Sequence, residues 1–548
     1  MIKKFRLYFL LIFLVELISF GSFLFDQNGL SIIREVSFFI ILVITLLLAV
    51  HKLEYGLLIL FVELFIASKG YLFFYEYQGT QISLRIALFL VVMSAWLGKV
   101  LLKWAGGKST FDVNEEVDKY ILKSKQVFKD FSDFKNFSEN AKKKFKGVTQ
   151  KNYLITIYFL LFIFLGWGLI NGYLQHNSLS DIFFDFNGWI YFGILFPLLY
   201  VMQLKNEVVE NFLNELLIVF SASITWLAIK TLFIVYGFSH GLLPIVYEVY
   251  RWVRVTGVGE ITRMDSGFVR VFFQSDIYVL IGLFVFISLI LYYWQKGEND
   301  EQKNNKTKKQ YLVLNYIILI LLISTTLISF SRSFWVGLVA GLLFYCFVVF
   351  LFFYKEWKAI LITFSSLILA VALSIGLIYG IIKFPYPDPN ANFSASMFTD
   401  RASALSGEAG VSSRWNLLPE LSKKIKKVPL QGSGFGATVT YITQDPRVLE
   451  QNPSGEYTTY TFEWGWHDIV LKIGLLGALI YVVLIVKIFV DGVAGIRNYE
   501  LGITKLTTIA LLAGLVMVVV TSAFSPYLNH PLGIGYLVLV SVILMRRK

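Results

Sequence analysis

Long apolar runs, separated by shorter polar segments, recur along almost the whole chain. Many of these runs have about the 20 residues that an α-helix needs to cross the hydrocarbon core of a bilayer. The pattern therefore predicts an all-α polytopic membrane protein with about fourteen transmembrane helices. The predicted spans are 7–25, 36–50, 56–74, 82–102, 152–173, 187–203, 213–236, 269–293, 311–330, 333–354, 359–382, 469–490, 506–524 and 532–545.

The composition supports the same class of protein. Of the 548 residues, 56% are hydrophobic and 16% are charged, and the mean hydropathy is +0.66. A soluble protein needs a largely polar exterior, so hydrocarbon must be the solvent for most of this chain. The single cysteine, Cys346, excludes an intramolecular disulfide.

The positive charges indicate how the chain is oriented in the membrane. Lysine and arginine cluster at both ends of the chain and in the connections 103–151, 295–310 and 355–358. Alternation of the predicted spans places these clusters on one face, and the positive-inside rule makes that face cytoplasmic. We expect both termini in the cytoplasm and no cleavable signal, because the first apolar run is too long. The net charge of +12 thus reflects topology, and we expect no nucleic-acid partner.

The polar connections divide the chain into five predicted parts, and two external loops are much longer than the others. The parts are N-terminal helices 1–103, a basic cytoplasmic insert 104–151, central helices 152–310 with external loop 237–268, a core 311–490 with a large external loop 383–466, and a C-terminal helical hairpin 491–548.

Some charged residues lie inside apolar runs, where a charge is costly and usually faces the bundle interior or water, and three of them are considered as candidates. They are Glu16, Glu63 and Lys230. Lys230 lies toward the external end of its span and could reach an anionic substrate. Structural pairing with an intramembrane acid is an equally good interpretation.

An arginine flanked by hydroxyls marks the junction of two apolar runs. Residues 329–333 read Ser-Phe-Ser-Arg-Ser, so Ser331 and Ser333 flank Arg332. A charge at this boundary needs a partner. The alternatives are a grip on an anionic, lipid-borne substrate and a simple interface anchor whose head reaches the headgroups.

The large external loop carries further polar chemistry. Arg414 precedes a predicted helix that has Trp415, Leu418, Leu421, Ile425 and Val428 near one face and four lysines on the other. This helix either rests on lipid headgroups or is solvated. The segment 429–436 follows, in which three glycines, including Gly434 and Gly436, permit close backbone approach to a ligand. It lacks the ending of a nucleotide-binding loop and lies outside the cytoplasm, which excludes nucleotide binding.

The order of these motifs resembles the O-antigen ligase and polymerase superfamily, membrane glycosyltransferases that use undecaprenyl-diphosphate-linked glycans. The resemblance rests on Ser-Arg-Ser at 331–333, Ser-Arg-Trp at 413–415, the glycine segment 429–436, and His467 before Gly-Leu-Leu-Gly at 474–477. It covers residues 311–490. The chain departs from the family in having His467-Asp468 where the family usually has His-Asn. In addition, Arg254-Val-Thr-Gly257 matches the family's Arg-x-x-Gly segment only loosely.

The resemblance implies a catalytic site at the external face. Arg332 and Arg414 match arginines thought to grip the donor diphosphate, a role that suits the planar guanidinium fork. His467 matches the catalytic histidine, and an imidazole can accept the proton of an acceptor hydroxyl. Asp468 or Glu463 could orient its ring. Other predicted substrate ligands are Arg254, Lys230, Ser331, Ser333, Gly434, Gly436 and Asp468.

The same resemblance implies the partners and the location. We expect a carrier-linked glycan donor, an acceptor glycan or glycolipid, membrane lipid, polysaccharide-assembly partners, no metal and no cofactor, in the cytoplasmic (inner) membrane of a bacterium. Two alternatives stay open. A polysaccharide flippase has a similar number of helices but should show two similar halves. An O-linked protein glycosyltransferase would use the same chemistry with a Ser or Thr acceptor.

Overall fold

Helices form most of the chain in the computed structural model, which describes residues 2–546 apart from 28, 30, 106–149, 243, 265–266, 300–304, 390–396, 398–408 and 500–501. Nearly all of the predicted basic insert 104–151 lies outside the described residues. In chain order the helices are α1 Ile2–Asp26, α2 Ile32–His51, α3 Leu53–Ile66, α4 Leu84–Trp104, α5 Gln150–Leu174, α6 Leu179–Trp189, α7 Leu195–Met202, α8 Asn206–Ser239, α9 Ile245–Val255, α10 Asp276–Asn299, α11 Asn305–Ile328, α12 Arg332–Phe353, α13 Trp357–Ile382, α14 Ala409–Lys427, α15 Pro446–Gln451, α16 Gly465–Asn498, α17 Ile503–Thr521 and α18 Pro531–Arg546.

Eleven continuous helical stretches among the described residues are long and apolar enough to cross a membrane. This confirms a multi-pass membrane protein, whereas the predicted count of spans and their sidedness stay predictions. The count is lower partly because α3 and α18 have only 14 and 16 residues. In addition, α12 and α13 are joined by one short turn, Tyr354–Glu356, and form the single stretch Arg332–Ile382.

The chain nevertheless reverses direction at Tyr354–Glu356. Side-chain contacts show that α12 runs parallel to α10 and that α13 runs parallel to α11, while α10 and α11 are antiparallel. The two predicted spans 333–354 and 359–382 are therefore separate, oppositely directed helices. Between α10 and α12 the contacts are Phe284–Gly341 and Ser288–Tyr345. Between α11 and α13 they are Tyr316–Ser366 and Ile320–Ser374. Between α10 and α11 they are Gly282–Leu322 and Trp294–Tyr316.

Among the described residues, three two-stranded antiparallel sheets interrupt the helices in or beside connections that were predicted to be external, so the prediction of an all-α fold was incomplete. The β4 residues alternate between buried and half-buried positions, as a strand with one packed face does. The predicted span 269–293 included β4 because its residues are apolar enough to extend the run. The pairs are β1 Phe74–Tyr77 with β2 Thr80–Ser83, β3 Gly259–Arg263 with β4 Val269–Phe273, and β5 Val439–Ile442 with β6 Glu456–Thr459.

Large apolar side chains cover the outside of the helical bundle. Leu47, Leu343, Phe350 and Ile368 are each 65–73% exposed. A water-soluble protein would not present so much apolar surface, whereas lipid chains solvate it without cost. The exposed apolar helices therefore support the membrane class independently of helix length.

The charges inside the apolar runs form ion pairs within the bundle. Lys230 on α8 lies 2.7 Å and 2.8 Å from the two carboxylate oxygens of Glu16 on α1, and both side chains are buried. Arg85 on α4 lies 3.0 Å from Glu63 on α3. Of the two interpretations of Lys230, structural pairing with an intramembrane acid is the arrangement observed, and substrate contact has no support in this geometry.

Helix α16 is broken at Gly474, and the external segment 429–436 fills the break. Gly474 has φ +72° and ψ 171°, so the usual bond from Leu475 N–H to the Leu471 carbonyl is absent. The Leu475 N–H instead donates to the Pro429 carbonyl at 2.8 Å, and the Leu471 carbonyl accepts from Ser433 N–H at 2.6 Å. The irregular backbone is thus satisfied within the protein, as non-helical backbone in a membrane protein requires.

The glycines of this segment contact helices of the bundle. A Cβ on Gly434 would lie 2.1 Å from the Gly172 nitrogen of α5, and one on Gly436 would lie 2.7 Å from the Ile182 nitrogen of α6. Between them Phe435 is fully buried. The two glycines therefore allow close approach of the backbone to α5 and α6. The predicted contact of Gly434 and Gly436 with a ligand stays a prediction.

The basic helix α14 also packs against protein. Leu417 and Leu421 are buried with Val439 of β5 and Leu471 of α16, and Ile425 packs beside them. Residues of β5 and α16 cover the side of the helix that carries Leu417, Leu421 and Ile425, whereas Trp415 of the predicted apolar face is exposed. Burial lowers the pKa of Lys424 below its usual value, and nearby positive charges act in the same direction.

We predict that Gly172→Ala destabilises the protein by about 1–3 kcal/mol, the usual cost of overpacking. The new methyl group would lie 2.5 Å from the Phe435 carbonyl oxygen and would displace the glycine segment. The measurement is the thermal midpoint in detergent together with trypsin cleavage of the external loop. Gly166→Ala on the same helix is the matched control, since nothing lies within 4 Å of that Cβ. Equal stability of the two variants would contradict the packing described.

Candidate active site

A strained turn places Arg332 at the N-terminus of α12. Phe330 has φ +44°, in the left-handed region that residues other than glycine rarely adopt. Its buried ring lies 5.6 Å from the Phe268 ring and 6.0 Å from the Trp335 ring. Packing of this ring stabilises a conformation that costs about 1–2 kcal/mol. The turn directs the chain into α12 at one end of the bundle.

The serines beside Arg332 connect α12 to the end of α17. Ser331 and Ser333 are buried, and their hydroxyl oxygens lie 3.2 Å apart. The Ser525 hydroxyl donates to the Ser333 hydroxyl at 3.1 Å, and the Thr521 hydroxyl donates to the Ser333 carbonyl at 3.5 Å. These hydroxyls hold the N-terminus of α12 in place, and the predicted binding of substrate by both serines stays a prediction.

Arg270 is a further arginine at this turn that the sequence analysis did not single out. It lies on β4, and its Nε donates to the Ser329 carbonyl at 2.7 Å, three residues before Arg332. Its guanidinium also lies 5.2 Å from the centre of the Phe272 ring. The alternation in Val269-Arg-Val indicates a strand in the sequence. It was overlooked because these residues continue into a long apolar run and were assigned to a transmembrane span.

His467 lies in the first turn of α16, which packs against the same end of α17. The Trp466 indole N–H donates to the Val519 carbonyl at 3.3 Å, and a Cβ on Gly465 would lie 2.4 Å from the Ser522 carbonyl oxygen. The imidazole is half-buried, and its centre lies 6.0 Å from the Trp464 ring in an edge-to-face arrangement.

Arg414 is held beside this turn by Trp464. The Trp464 indole N–H donates to the Arg414 carbonyl at 2.9 Å, and the Arg414 side chain pairs with Glu463. Both side chains of the ion pair are about half exposed. Exposed ion pairs contribute little stability, so a phosphate group can replace Glu463 as the partner of Arg414 at small cost.

The N-termini of α12 and α16 therefore meet the same segment of α17 and the turn that follows it. Packed helix axes are separated by 8–10 Å, so two helices on a common third lie no more than about 20 Å apart. Helix N-termini carry unsatisfied N–H groups and partial positive charge. The structure brings Arg332, His467 and the backbone of Arg414 to one end of the bundle, with Arg270 beside them.

Asp468 is not next to the imidazole, contrary to the prediction that it orients the ring. Its carboxylate accepts from the Asn529 amide at 2.6 Å and lies 3.9 Å from Lys472 Nζ, and it is buried. Consecutive side chains on a helix point about 100° apart, which directs Asp468 inward while His467 faces outward. Glu463, the other candidate, pairs with Arg414.

Lys472 is the centre of this buried network and was missed at the sequence level. It is fully buried, pairs with Asp185 of α6, and donates to the Tyr460 carbonyl at 2.8 Å. Asp185 also accepts from Gly436 N–H at 2.8 Å. The ion pair thus connects α6, α16 and the glycine segment. A lysine one turn after His467 was visible in the sequence, but its partner lies almost 300 residues earlier.

Arg254 lines a separate cavity of about 790 Å³ between the end of α8, α9 and the β3–β4 sheet. Arg263 and Glu260 line the same cavity, whereas His467, Arg332 and Arg414 do not. The structure thus places Arg254 in a cavity that the other three residues do not line, and its contact with substrate stays a prediction.

His530 lies in the connection between α17 and α18, close to the Asp468 network. Its Nδ1 accepts from the Leu532 N–H at 3.4 Å. Burial, followed by the positive charges of Arg85 and Lys69, lowers the pKa of His530 well below its usual value. At neutral pH this imidazole is therefore uncharged.

Fold and site together define a multi-pass membrane protein with a cationic and imidazole-bearing site at one end of its helical bundle. Within the described ranges, no three histidine, cysteine, aspartate or glutamate side chains are grouped closely enough to hold a metal ion. Residues 317–482 match a family model described as O-antigen ligase. This confirms the predicted relationship for the segment that contains Arg332, Arg414 and His467. A search of curated proteins found no match.

We predict that Lys472→Met lowers stability by about 3–5 kcal/mol, because it leaves the buried Asp185 carboxylate without its partner. The double variant Lys472→Met, Asp185→Asn should recover much of that loss, since it removes both charges. Thermal and denaturant unfolding in detergent measure the effect. Lys423→Met removes an exposed lysine with an exposed partner and should leave stability unchanged. Additive losses in the double variant would show that the two side chains do not interact.

A second prediction concerns pH. The unfolded chain protonates His530 below about pH 6.5, whereas the folded protein keeps it neutral to lower pH. Stability from this group is present above that pH and is lost as the pH falls toward the folded pKa. We expect the thermal midpoint to fall less steeply between about pH 7 and 5 in His530→Gln than in the wild type. An equally steep fall in both proteins would show that His530 titrates normally.

Proposed function

We propose that this protein transfers a glycan from undecaprenyl diphosphate to a hydroxyl acceptor at the external face of a bacterial cytoplasmic membrane. The O-antigen ligase segment supports a glycosyltransferase-like role in surface polysaccharide assembly. We propose, beyond this, the identity of the donor, the face of the membrane at which transfer occurs and the roles of individual residues. The observation that carries it is the packing of the Arg332 and His467 helix N-termini on one end of α17.

The donor diphosphate would bind at the N-terminus of α12. Arg332 supplies a planar, permanently charged fork, and the N-terminus of the helix adds partial positive charge. Arg414 would exchange Glu463 for a phosphate oxygen, and the Ser331–Ser333–Ser525 hydroxyls would keep the helix end in position. Charge on the leaving diphosphate would then be neutralised by protein groups at the moment when the sugar departs.

His467 would act on the acceptor. As the acceptor hydroxyl oxygen attacks the anomeric carbon, its proton passes to a ring nitrogen of His467. The bond from the anomeric carbon to the diphosphate oxygen breaks, and the diphosphate leaves with that electron pair. Because neither Asp468 nor Glu463 contacts the imidazole, its orientation comes from the packing of the first turn of α16 and from Trp464.

We predict that His467→Asn lowers the rate of glycan transfer by at least about 100-fold, the low end of general-base contributions. The measurement is transfer from purified carrier-linked glycan to a defined acceptor. His176→Asn is the matched control, because His176 is exposed in another external connection and asparagine tolerates its φ of +58°. Wild-type transfer by His467→Asn would reject this residue as the base.

We also expect Arg332→Ala to raise the donor KM and lower kcat, with Arg332→Lys between it and the wild type. Lysine keeps the charge but loses the two-pronged geometry of guanidinium. Steady-state kinetics with varied donor test this assignment. An alanine variant with unchanged donor kinetics would place the diphosphate elsewhere.

A further inference from the structure

A second polar cavity lies behind the first turn of α16, on the side away from His467. Its volume is about 200 Å³, and we call it the Arg85 cavity. Neither His467 nor the two site arginines line it. Its lining comes from the β2–α4 junction, α6, the chain before α16 and the α17–α18 connection, and includes Lys69, Tyr71, Arg85, Phe462, Asp468 and Asn529.

Several buried polar atoms in its wall have no hydrogen-bond partner among the described residues. They are Nη1 and Nη2 of Arg85, Oδ1 of Asp468 and Oδ1 of Asn529. The three side chains are only 4%, 5% and 9% exposed. Buried polar groups in folded proteins are almost always paired, so unpaired donors and acceptors around one cavity indicate that something polar fills it.

The charges around the Arg85 cavity balance. Arg85 is paired with Glu63, and Lys472 is paired with Asp185. The positive charge of Lys69 offsets the negative charge of Asp468 in the lining of the cavity. A carboxylate or phosphate would meet the unpaired acceptors of Asp468 and Asn529, and an ammonium group would meet Arg85. A hydroxyl group both donates and accepts, so an uncharged ligand with several hydroxyls satisfies the whole set.

The size and the walls narrow the class of ligand. At about 30 Å³ for each water, the cavity has room for about seven waters, which is close to the size of one sugar ring. Tyr71, Phe184 and Phe462 supply apolar walls for the faces of such a ring. Lys69, Phe184 and Thr461 are exposed and form the mouth of the cavity.

We propose that the Arg85 cavity binds one uncharged sugar ring of the acceptor glycan, which rests on the proposed transferase function. Asp468 directly follows His467 in α16, so a ring held here lies across the first turn of α16 from the proposed base. Arg85, Asp468 and Asn529 would satisfy its hydroxyls, and the ring would position the acceptor chain across the start of α16.

The test is binding of methyl glycosides of glucose, galactose, N-acetylglucosamine and rhamnose to the full-length protein, with glucuronate as an anionic comparator. We expect saturable binding of at least one neutral glycoside, by thermal shift and ligand-observed NMR, and at least tenfold weaker binding of glucuronate. Thr461→Trp should block the mouth and abolish binding. Thr458→Trp is the matched control, because Thr458 is exposed on the neighbouring β6 strand and does not line the cavity.

Asp468→Asn provides a second variant, which keeps the shape but removes the charged acceptor, and should weaken binding at least tenfold. In the transfer assay, Thr461→Trp should raise the acceptor KM at least tenfold and leave the donor KM unchanged. If no neutral glycoside binds, or if Thr461→Trp binds as the wild type does, the cavity holds water only and the proposal is overturned.

The two proposals fail in different ways. Glycoside binding that depends on Thr461 and Asp468, in a protein without transfer activity, would reject the proposed function and keep the sugar site. Transfer activity without glycoside binding, and with an unchanged acceptor KM in Thr461→Trp, would reject the sugar site and keep the function.

Discussion

The break in α16 at Gly474 is the constraint on which the arrangement of the connection 383–466 and the candidate site depends. A helix that loses the bond from Leu475 to Leu471 must satisfy both groups elsewhere, and only the segment 429–436 does so. That segment is in turn fixed by Phe435, whose ring packs against Gly168 of α5. It is also fixed by Asp185, whose carboxylate accepts from the Gly436 N–H and pairs with Lys472. The connection between α13 and α16 thus has a fixed attachment about two helical turns after His467, without any disulfide.

This attachment explains how a site can form from residues far apart in the chain. Once α16 is held, its first turn packs on the end of α17, and the serines of α12 reach the same place through Ser525. Two positive helix ends, a guanidinium fork and an imidazole then lie at the same end of the helical bundle. The arrangement suits a reaction in which a lipid diphosphate leaves while a hydroxyl attacks.

The class of protein and the order of its motifs could be predicted from the sequence, because hydropathy and charge asymmetry are local signals. The roles of single residues could not. Gly434 and Gly436 were correctly expected to allow close approach, but only the fold shows that the partner is α5 and α6. Lys230 pairs with Glu16, 214 residues away, and Lys472 pairs with Asp185, almost 300 residues away. No local sequence pattern predicts such pairs. Asp468 stands beside His467 in sequence, yet helix geometry turns the two side chains apart.

The most direct measurement of the central claim is a cryo-electron microscopy structure with a non-hydrolysable phosphonate analogue of the carrier-linked donor. The account predicts that the phosphorus groups lie between the N-termini of α12 and α16, with oxygens about 3 Å from the Arg332 guanidinium. The anomeric carbon should then face the His467 imidazole. An analogue bound in the Arg254 cavity, without contact to Arg332, would contradict the account.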